Sequence, residues 1–370
     1  MKITWPVCML LINLFAAATC AAEPIYIGLS LPLTGANEGY GQAMKHGVEL
    51  AAQEINAAGG INGRQLAFVV EDSQSDSMFA QKIALKLTKN EKVVAEIGDF
   101  TSSCCLSAQP VYRKAKMVQL SPSSSHPAFP PGSPYSFGIH GTQAEQGPVM
   151  AHLAVTTLKK KRLAILSLNT DWGVVAKKYF ADAAVQLGAE IVAEATCLQG
   201  ATDFAATLQT LRAAQPDLLY LGLLYQEAAL VLQQIQASGW RYVVVMGSRA
   251  LTTPELLELA GSAAEGLYLS ATFLPANPAP EVQEFVRRYQ AQFNTLPSQY
   301  AALGYDALNM LAVAIRTAGP ERQAIRDALA AIRDFHGVTG TISFTETGGV
   351  TKKHLFVQVR QGKFVKLDGQ

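Results

Sequence analysis

The sequence predicts an α/β fold of two Rossmann-like lobes with parallel central sheets, joined by a hinge that the chain crosses three times. Three observations carry this prediction. The 370 residues, 49% hydrophobic and 16% charged, exceed what one compact core of ordinary size accommodates. Short apolar runs alternate with amphipathic stretches, as strands and crossover helices do. After a Pro- and Ser-rich loop at 122–134 the alternation begins again, which marks a second lobe.

Taken in order, residues 25–33 form an apolar run that reads as a buried strand. Met44, Val48, Ala51, Ile55 and Ala58 then recur at helical spacing until Gly59-Gly60 stops the helix. Strands follow at 66–70, 93–97 and 117–120, with a helix marked by Ile83 and Leu87 between the first two of these. Residues 135–139 are extended and lead out of the first series. In the second series, strands are expected at 162–168, 189–195, 217–221 and 243–246. Phe204, Leu208 and Leu211 share one helix face, capped by Thr202-Asp203, and Ala228, Val231, Leu232 and Ile235 share another. After a run at 267–272 come helices at 281–293, 298–317 and 321–332, then a β-like tail at 355–365. Helices without strands cannot build a third sheet, so they return to the first lobe and the tail to the second. The expected division is 24–141 plus 273–348 for one lobe and 142–272 plus 349–370 for the other. Three crossings suit closure around a ligand.

A formal net charge of +1 with interleaved signs gives no broad attraction for nucleic acid or an anionic membrane. Met1-Lys2 and the apolar run to Ala18 read as a secretory signal peptide over 1–22, cleaved near Ala22, since a bilayer span needs ~20 apolar residues. Acylation at Cys20 is the competing reading, but Thr19 and Ala17 make a poor lipobox. The mature chain keeps Cys104, Cys105 and Cys197, an odd set that implies no disulfide framework. The adjacent pair lacks the gap of a redox or zinc motif. The sequence contains no phosphate-cradling G-x-x-x-x-G-K-[ST], no G-x-S-x-G elbow and no G-x-G-x-x-G after the first strand. Its six histidines lack metal-ligand spacing, and no nucleophile is paired with a base, so neither an enzyme nor a metal or other cofactor is expected.

Hydroxyl-rich clusters remain at the carboxyl ends of expected strands, where open α/β sheets bind ligands. Thr101-Ser102-Ser103 opens a helix after the third strand, and Ser121 with Ser123-Ser124-Ser125 follows the fourth. Such hydroxyls beside free helix amides hold a carboxylate without a full countercharge. Tyr40 and Trp172, each following the first strand of its lobe, supply apolar walls.

With these residues in view, the chain resembles the leucine/isoleucine/valine-binding family of solute-binding proteins, with a type I periplasmic binding fold. The resemblance runs through I-G-L-S-L-P-L-T-G at 27–35, Y-G-Q-A-M-K-H-G-V-E-L-A-A-Q-E-I-N-A-A-G-G-I-N-G-R at 40–64, E-D-S-Q-S-D at 71–76, I-G-D-F-T-S-S at 97–103, L-S-P-S-S-S at 120–125 and G-Y-D-A-L at 304–308. It implies a monomeric periplasmic receptor that captures a small carboxylate- or amide-bearing solute, an amino acid or an organic or aromatic acid. The partners it implies are the permease and ATPase subunits of an ABC importer, with no nucleic acid; a sensory module is the alternative. The carboxylate subsite carries over to Ser102, Ser123 and Ser125, and the wall aromatics to Tyr40 and Trp172. Two positions depart. Amino-acid binders place an acid for the ammonium after the strand at 243–246, where this chain has Arg249; after 220–222 they place an aromatic hydroxyl, where it has Leu224 and then Tyr225. Arg249 either faces the cleft and disfavours an ammonium, or points to solvent or pairs with Glu227. In the first case the ligand is a carboxylate without an α-amine, a dicarboxylate or an aromatic acid.

Overall fold

The computed structural model describes residues 22–367, so the expected signal peptide up to residue 21, with Cys20, lies outside the described residues. The first sheet consists of β1 (Ile25–Leu31), β2 (Leu66–Asp72), β3 (Val93–Gly98), β4 (Val118–Ser121) and β5 (Ser136–Gly138). All are parallel, in the order β2-β1-β3-β4-β5. Helices α1 (Glu38–Ala57), α2 (Ser77–Lys89) and α3 (Ser102–Lys114) connect them. In α1 the apolar series Met44, Val48, Ala51 and Ile55 is buried, and α2 begins where the Asp76 carboxylate accepts the Met78 and Phe79 amides at 2.8 and 2.9 Å.

The second lobe repeats the pattern with α4 (Gln143–His152), β6 (Arg162–Leu168), α5 (Asp171–Gln186), β7 (Glu190–Cys197), α6 (Ala205–Ala213), β8 (Leu218–Gly222), α7 (Tyr225–Ala237), β9 (Val244–Gly247), α8 (Pro254–Ala260) and β10 (Tyr268–Ala271). Next come α9 (Pro280–Phe293), α10 (Gln299–Ala318) and α11 (Arg322–Ala330), a small hairpin of β11 (Phe335–Gly337) and β12 (Gly340–Ile342), and the closing strands β13 (Leu355–Arg360) and β14 (Lys363–Lys366). The second sheet runs β14-β13-β10-β9-β8-β6-β7. Its tail strands are antiparallel to β10 and to each other, so this sheet is mixed. The chain therefore passes between the two sheets after β5, after β10 and before β13.

Leu303, Leu311, Ile325 and Leu329 of α10 and α11 join Ile27, Leu29, Val48 and Ile97 in one core, which returns the strandless helices to the first sheet. A second core runs from Leu166, Leu219 and Leu221 to Leu31, Tyr40, Met44, Phe100 and Tyr300, so apolar packing is continuous from lobe to lobe. The structure adds the β11–β12 hairpin to the expected elements. It also moves the start of α6, whose N-cap is Phe204; Asp203 instead accepts the Ala205 amide at 3.0 Å, a local turn. Among the described residues no helix is long and apolar enough to cross a membrane.

Helices α1 and α10 meet at two glycines. A Cβ on Gly47 would lie 1.9 Å from the Ala301 carbonyl oxygen, and one on Gly304 would lie 2.3 Å from that of Met44. Backbone atoms cannot swing aside as a side chain does, so Gly47→Ala is expected to lower unfolding free energy by about 3 kcal/mol, at the upper end of overpacking costs. Urea unfolding of the two proteins measures it; an unchanged midpoint would show that the helices separate freely.

A candidate ligand-binding site between the lobes

The carboxyl ends of both sets of parallel strands open onto one cavity of about 140 Å³. From the first lobe, the turn after β3 brings Phe100, Thr101, Ser102 and Ser103, and the loop after β4 brings Ser123 and Ser125. From the second, Leu168 ends β6 and Thr170 and Trp172 follow it, while Gln199, Leu224 and Ala250 follow β7, β8 and β9. His140, Gln143 and Gln146 enter from the first crossing and the start of α4, and Tyr300 from the first turn of α10.

The serines are held in place from below. Thr101 caps α3 by accepting the Cys104 amide at 3.3 Å, which leaves Ser102 and Ser103 in a first turn whose amides lack helical partners. The Ser121 hydroxyl donates to the Asp99 carbonyl at 2.9 Å and accepts the Ser123 and Ser124 amides at 3.3 and 2.9 Å, fixing the next turn. The Ser123 hydroxyl donates to the Phe100 carbonyl at 2.9 Å. Cys104 and Cys105 are buried thiols in the first turn of α3, and burial raises both pKa values far above the thiol range.

The lobes touch across the cavity. The Ser125 hydroxyl oxygen accepts both the Trp172 indole N–H at 3.1 Å and the Gln143 side-chain N–H at 3.2 Å. The Ser103 hydroxyl donates to Asp171 at 2.9 Å, and the Gln199 amide to Asn37 at 3.2 Å. Behind them the buried Tyr40 hydroxyl donates to the Ala250 carbonyl at 3.1 Å and accepts the Tyr225 amide at 3.0 Å.

Of the residues singled out in the sequence, Ser102, Ser123, Ser125, Trp172 and Leu224 line the cavity; Tyr40, Tyr225 and Arg249 stand behind its wall. The Tyr40 ring stacks on Phe100 with centroids 4.2 Å apart, and Tyr225 tilts against it at 4.9 Å. Phe100 and Tyr300 are thus the aromatic walls beside Trp172, and the glutamines and His140 supply polar groups that the hydroxyl clusters do not reveal. Their signal in the sequence is position: Phe100 lies in the turn after β3, and Gln143 and Tyr300 sit in helix first turns.

Among the described residues the wall carries no Asp, Glu, Lys or Arg. His140 is neutral: burial, and then the charge of Arg249, holds its pKa well below the usual histidine value. Its Nδ1–H donates to the Ser123 carbonyl at 3.0 Å, which leaves Nε2 as a lone-pair acceptor with no partner. The Gln143 Oε1 is likewise a buried acceptor without a partner. Arg249 neither points to solvent nor pairs with Glu227. It is fully buried, and Glu227 accepts the Gly200 amide at 2.8 Å. Burial brings the Arg249 pKa down to about 10, which still leaves it charged at neutral pH. Among the described residues, no three of His, Cys, Asp and Glu converge to hold a metal ion.

Comparison with known proteins agrees with this architecture. A protein of Brucella suis named Leu/Ile/Val-binding protein homolog 1 is 29% identical over 331 residues, covering 88% of this chain and 87% of its own length. The Pseudomonas aeruginosa leucine-, isoleucine-, valine-, threonine- and alanine-binding protein is 28% identical over 90% of this chain and 89% of its own. The crystal structure of the branched-chain amino acid transporter substrate-binding protein LivJ from Streptococcus pneumoniae, in complex with isoleucine, superposes with a TM-score of 0.87 at 29% identity, covering 93% of this chain and all of that one. With residues 24–363 matched by the model of the periplasmic binding protein family, the chain belongs to that family.

Proposed function

We propose that this chain is the solute-binding component of an ABC-type importer, a monomer of the periplasm exported through the leader at 1–22. It closes its lobes, 24–141 with 273–348 and 142–272 with 349–370, around a small carboxylate-bearing solute and presents it to the permease and ATPase subunits. The observation that carries this reading is the charge-free cavity between the lobes, walled by hydroxyls, amides and aromatic rings contributed from both sides. The family is one of solute-binding proteins rather than a class of enzymes, and the relatives' names favour import over sensing.

In this reading Ser102 and Ser125, with the free amides that open α3, take the carboxylate, and Ser123, whose hydroxyl proton goes to the Phe100 carbonyl, holds the turn beside them. Such donors stabilise an anion without a buried countercharge. Phe100, Trp172 and Tyr300 enclose the apolar part, with Tyr40, Leu224 and Tyr225 supporting the wall. The partnerless acceptors on Gln143 and His140 suit a hydroxyl or amide N–H of the solute. They also keep a second reading in play, an amino acid whose ammonium donates to them, as the names of the relatives suggest.

Mass spectrometry of the solute released from purified protein tests the proposal by naming the ligand. Adding that solute back to the emptied protein is expected to compact it in small-angle scattering, because a ligand bridging both lobes favours the closed form by its extra affinity for it. An unchanged radius at saturation would sink the closing-cleft reading. Ser102→Ala and Ser125→Ala are each expected to weaken binding ten- to a hundred-fold, the equivalent of ~1.5–3 kcal/mol for a hydrogen bond to a charged group, with folding nearly unaffected. Calorimetry that finds parental affinity in both variants would place the carboxylate elsewhere. Trp172 fluorescence should shift on binding, and Trp172→Phe should remove most of that change; its survival would exclude Trp172 from the wall.

A further inference from the structure

Arg249 is the one described arginine whose side chain is fully buried while none of Nε, Nη1 and Nη2 finds a hydrogen-bond partner among the described residues. A guanidinium carries five donors and remains ionised in proteins, so leaving it unpaired away from water is among the most costly arrangements a core can hold. Its main chain is tightly located. Gln299 donates to the Arg249 carbonyl at 2.6 Å, and the residues after each of these, Ala250 and Tyr300, line the cavity.

The surroundings do not neutralise it. Tyr220, itself fully buried with a partnerless hydroxyl, and Tyr300 are near enough for the guanidinium to favour their ionised forms, although burial keeps both neutral. His140, His354 and Lys352 also feel its charge, and each is pushed further toward its neutral form, after the larger effect of burial. Glu145 is the carboxylate whose field reaches Arg249, but it accepts the Thr142 amide at 3.0 Å in the capping box of α4 and makes no bond to the guanidinium.

We propose that Arg249, directly behind the part of the cavity wall made by Ala250 and Tyr300, forms with the hydroxyls of Tyr220 and Tyr300 a second anion subsite that a solute reaches through this wall, so that the solute is a dianion such as a dicarboxylate rather than an α-amino acid. This rests on the carboxylate reading of the Ser102, Ser123 and Ser125 end and deepens it: one acid group is held by hydroxyls and amides, the other by a guanidinium. The same cation disfavours an ammonium at that end. The guanidinium then has an opposite charge beside it when the cleft closes on its ligand.

The test uses the whole mature chain and two matched sets of probes. The first set is the α,ω-dicarboxylates from succinate to suberate, together with terephthalate, each against its monomethyl ester. The second is 4-methylpentanoate against leucine, which differs by the α-ammonium. In thermal-shift and calorimetric titrations, at least one diacid should bind ten-fold or more tighter than its monoester, and 4-methylpentanoate should stabilise the protein more than leucine does. Arg249→Met should abolish the diacid preference while the ligand-free protein melts no lower than the parent, since a buried unpaired charge has been replaced by an apolar side chain of similar length. Tyr220→Phe should reduce the preference without abolishing it, and serves if Arg249→Met does not fold. Leucine binding more tightly than 4-methylpentanoate, or a diacid preference that survives in Arg249→Met, overturns the second subsite while leaving the carboxylate end standing. If monoesters and diacids all fail to bind, the carboxylate reading falls, and the second subsite with it.

Discussion

Both sheets turn the carboxyl ends of their parallel strands toward the same gap, and the rest of the molecule follows from that constraint. A parallel strand must be followed by a crossover, so most of these ends carry a turn into a helix whose first amides the helix cannot satisfy, and β4 carries instead the serine loop that leads to β5. Two sets of turns facing each other make a cavity rich in donors without any charged side chain at its wall. The three passages between the sheets hold the two sets opposite each other.

Beneath the hydroxyl surface lies a stiff acidic layer. Glu96 and Asp99 are buried side by side at the end of β3, and burial lifts the Asp99 pKa to about 6, above the usual carboxylate range. Ser30 donates to the Asp99 carboxylate at 3.1 Å, and Ser121 takes its carbonyl. This layer locates the turn that carries Phe100 and the first turn of α3, so the serines present hydroxyls whose orientation is already decided before a ligand arrives. Preorganised donors lose less entropy on binding than mobile ones.

Much of the fold is legible in the sequence because parallel strands buried on both faces appear as unbroken apolar runs, as 218–222 does for β8. The hydroxyl clusters are legible for a related reason, since strand ends can be located and the residues after them read off. The β11–β12 hairpin is not legible. Its strands have three residues each, and only Ile342 among them is buried. Tyr40 illustrates the other limit. Its spacing marks it as a cleft residue, but its partner Ala250 lies 210 residues away, and no local pattern encodes that pairing. Arg249 shows the same limit in reverse. Its position after β9 can be read from the sequence, whereas the lack of a partner for its guanidinium among the described residues is a property of the packed interior.

The bond from the Tyr40 hydroxyl joins main chain to main chain through a single phenol, and no solute atom takes part in it. Such a bond acts as a latch: it lowers the free energy of the shut receptor whether or not cargo is aboard. If the cleft opens and shuts as proposed, this bond with Ser103–Asp171 and Gln199–Asn37 would give the empty protein a standing tendency to close. A receptor biased in this way asks its cargo for less closure energy and so holds it more tightly at low concentration. The same bias narrows the difference between loaded and empty forms, and that difference is what a membrane partner must sense to avoid idle cycles. The strength of the latch therefore sets a compromise between scavenging power and fidelity of delivery.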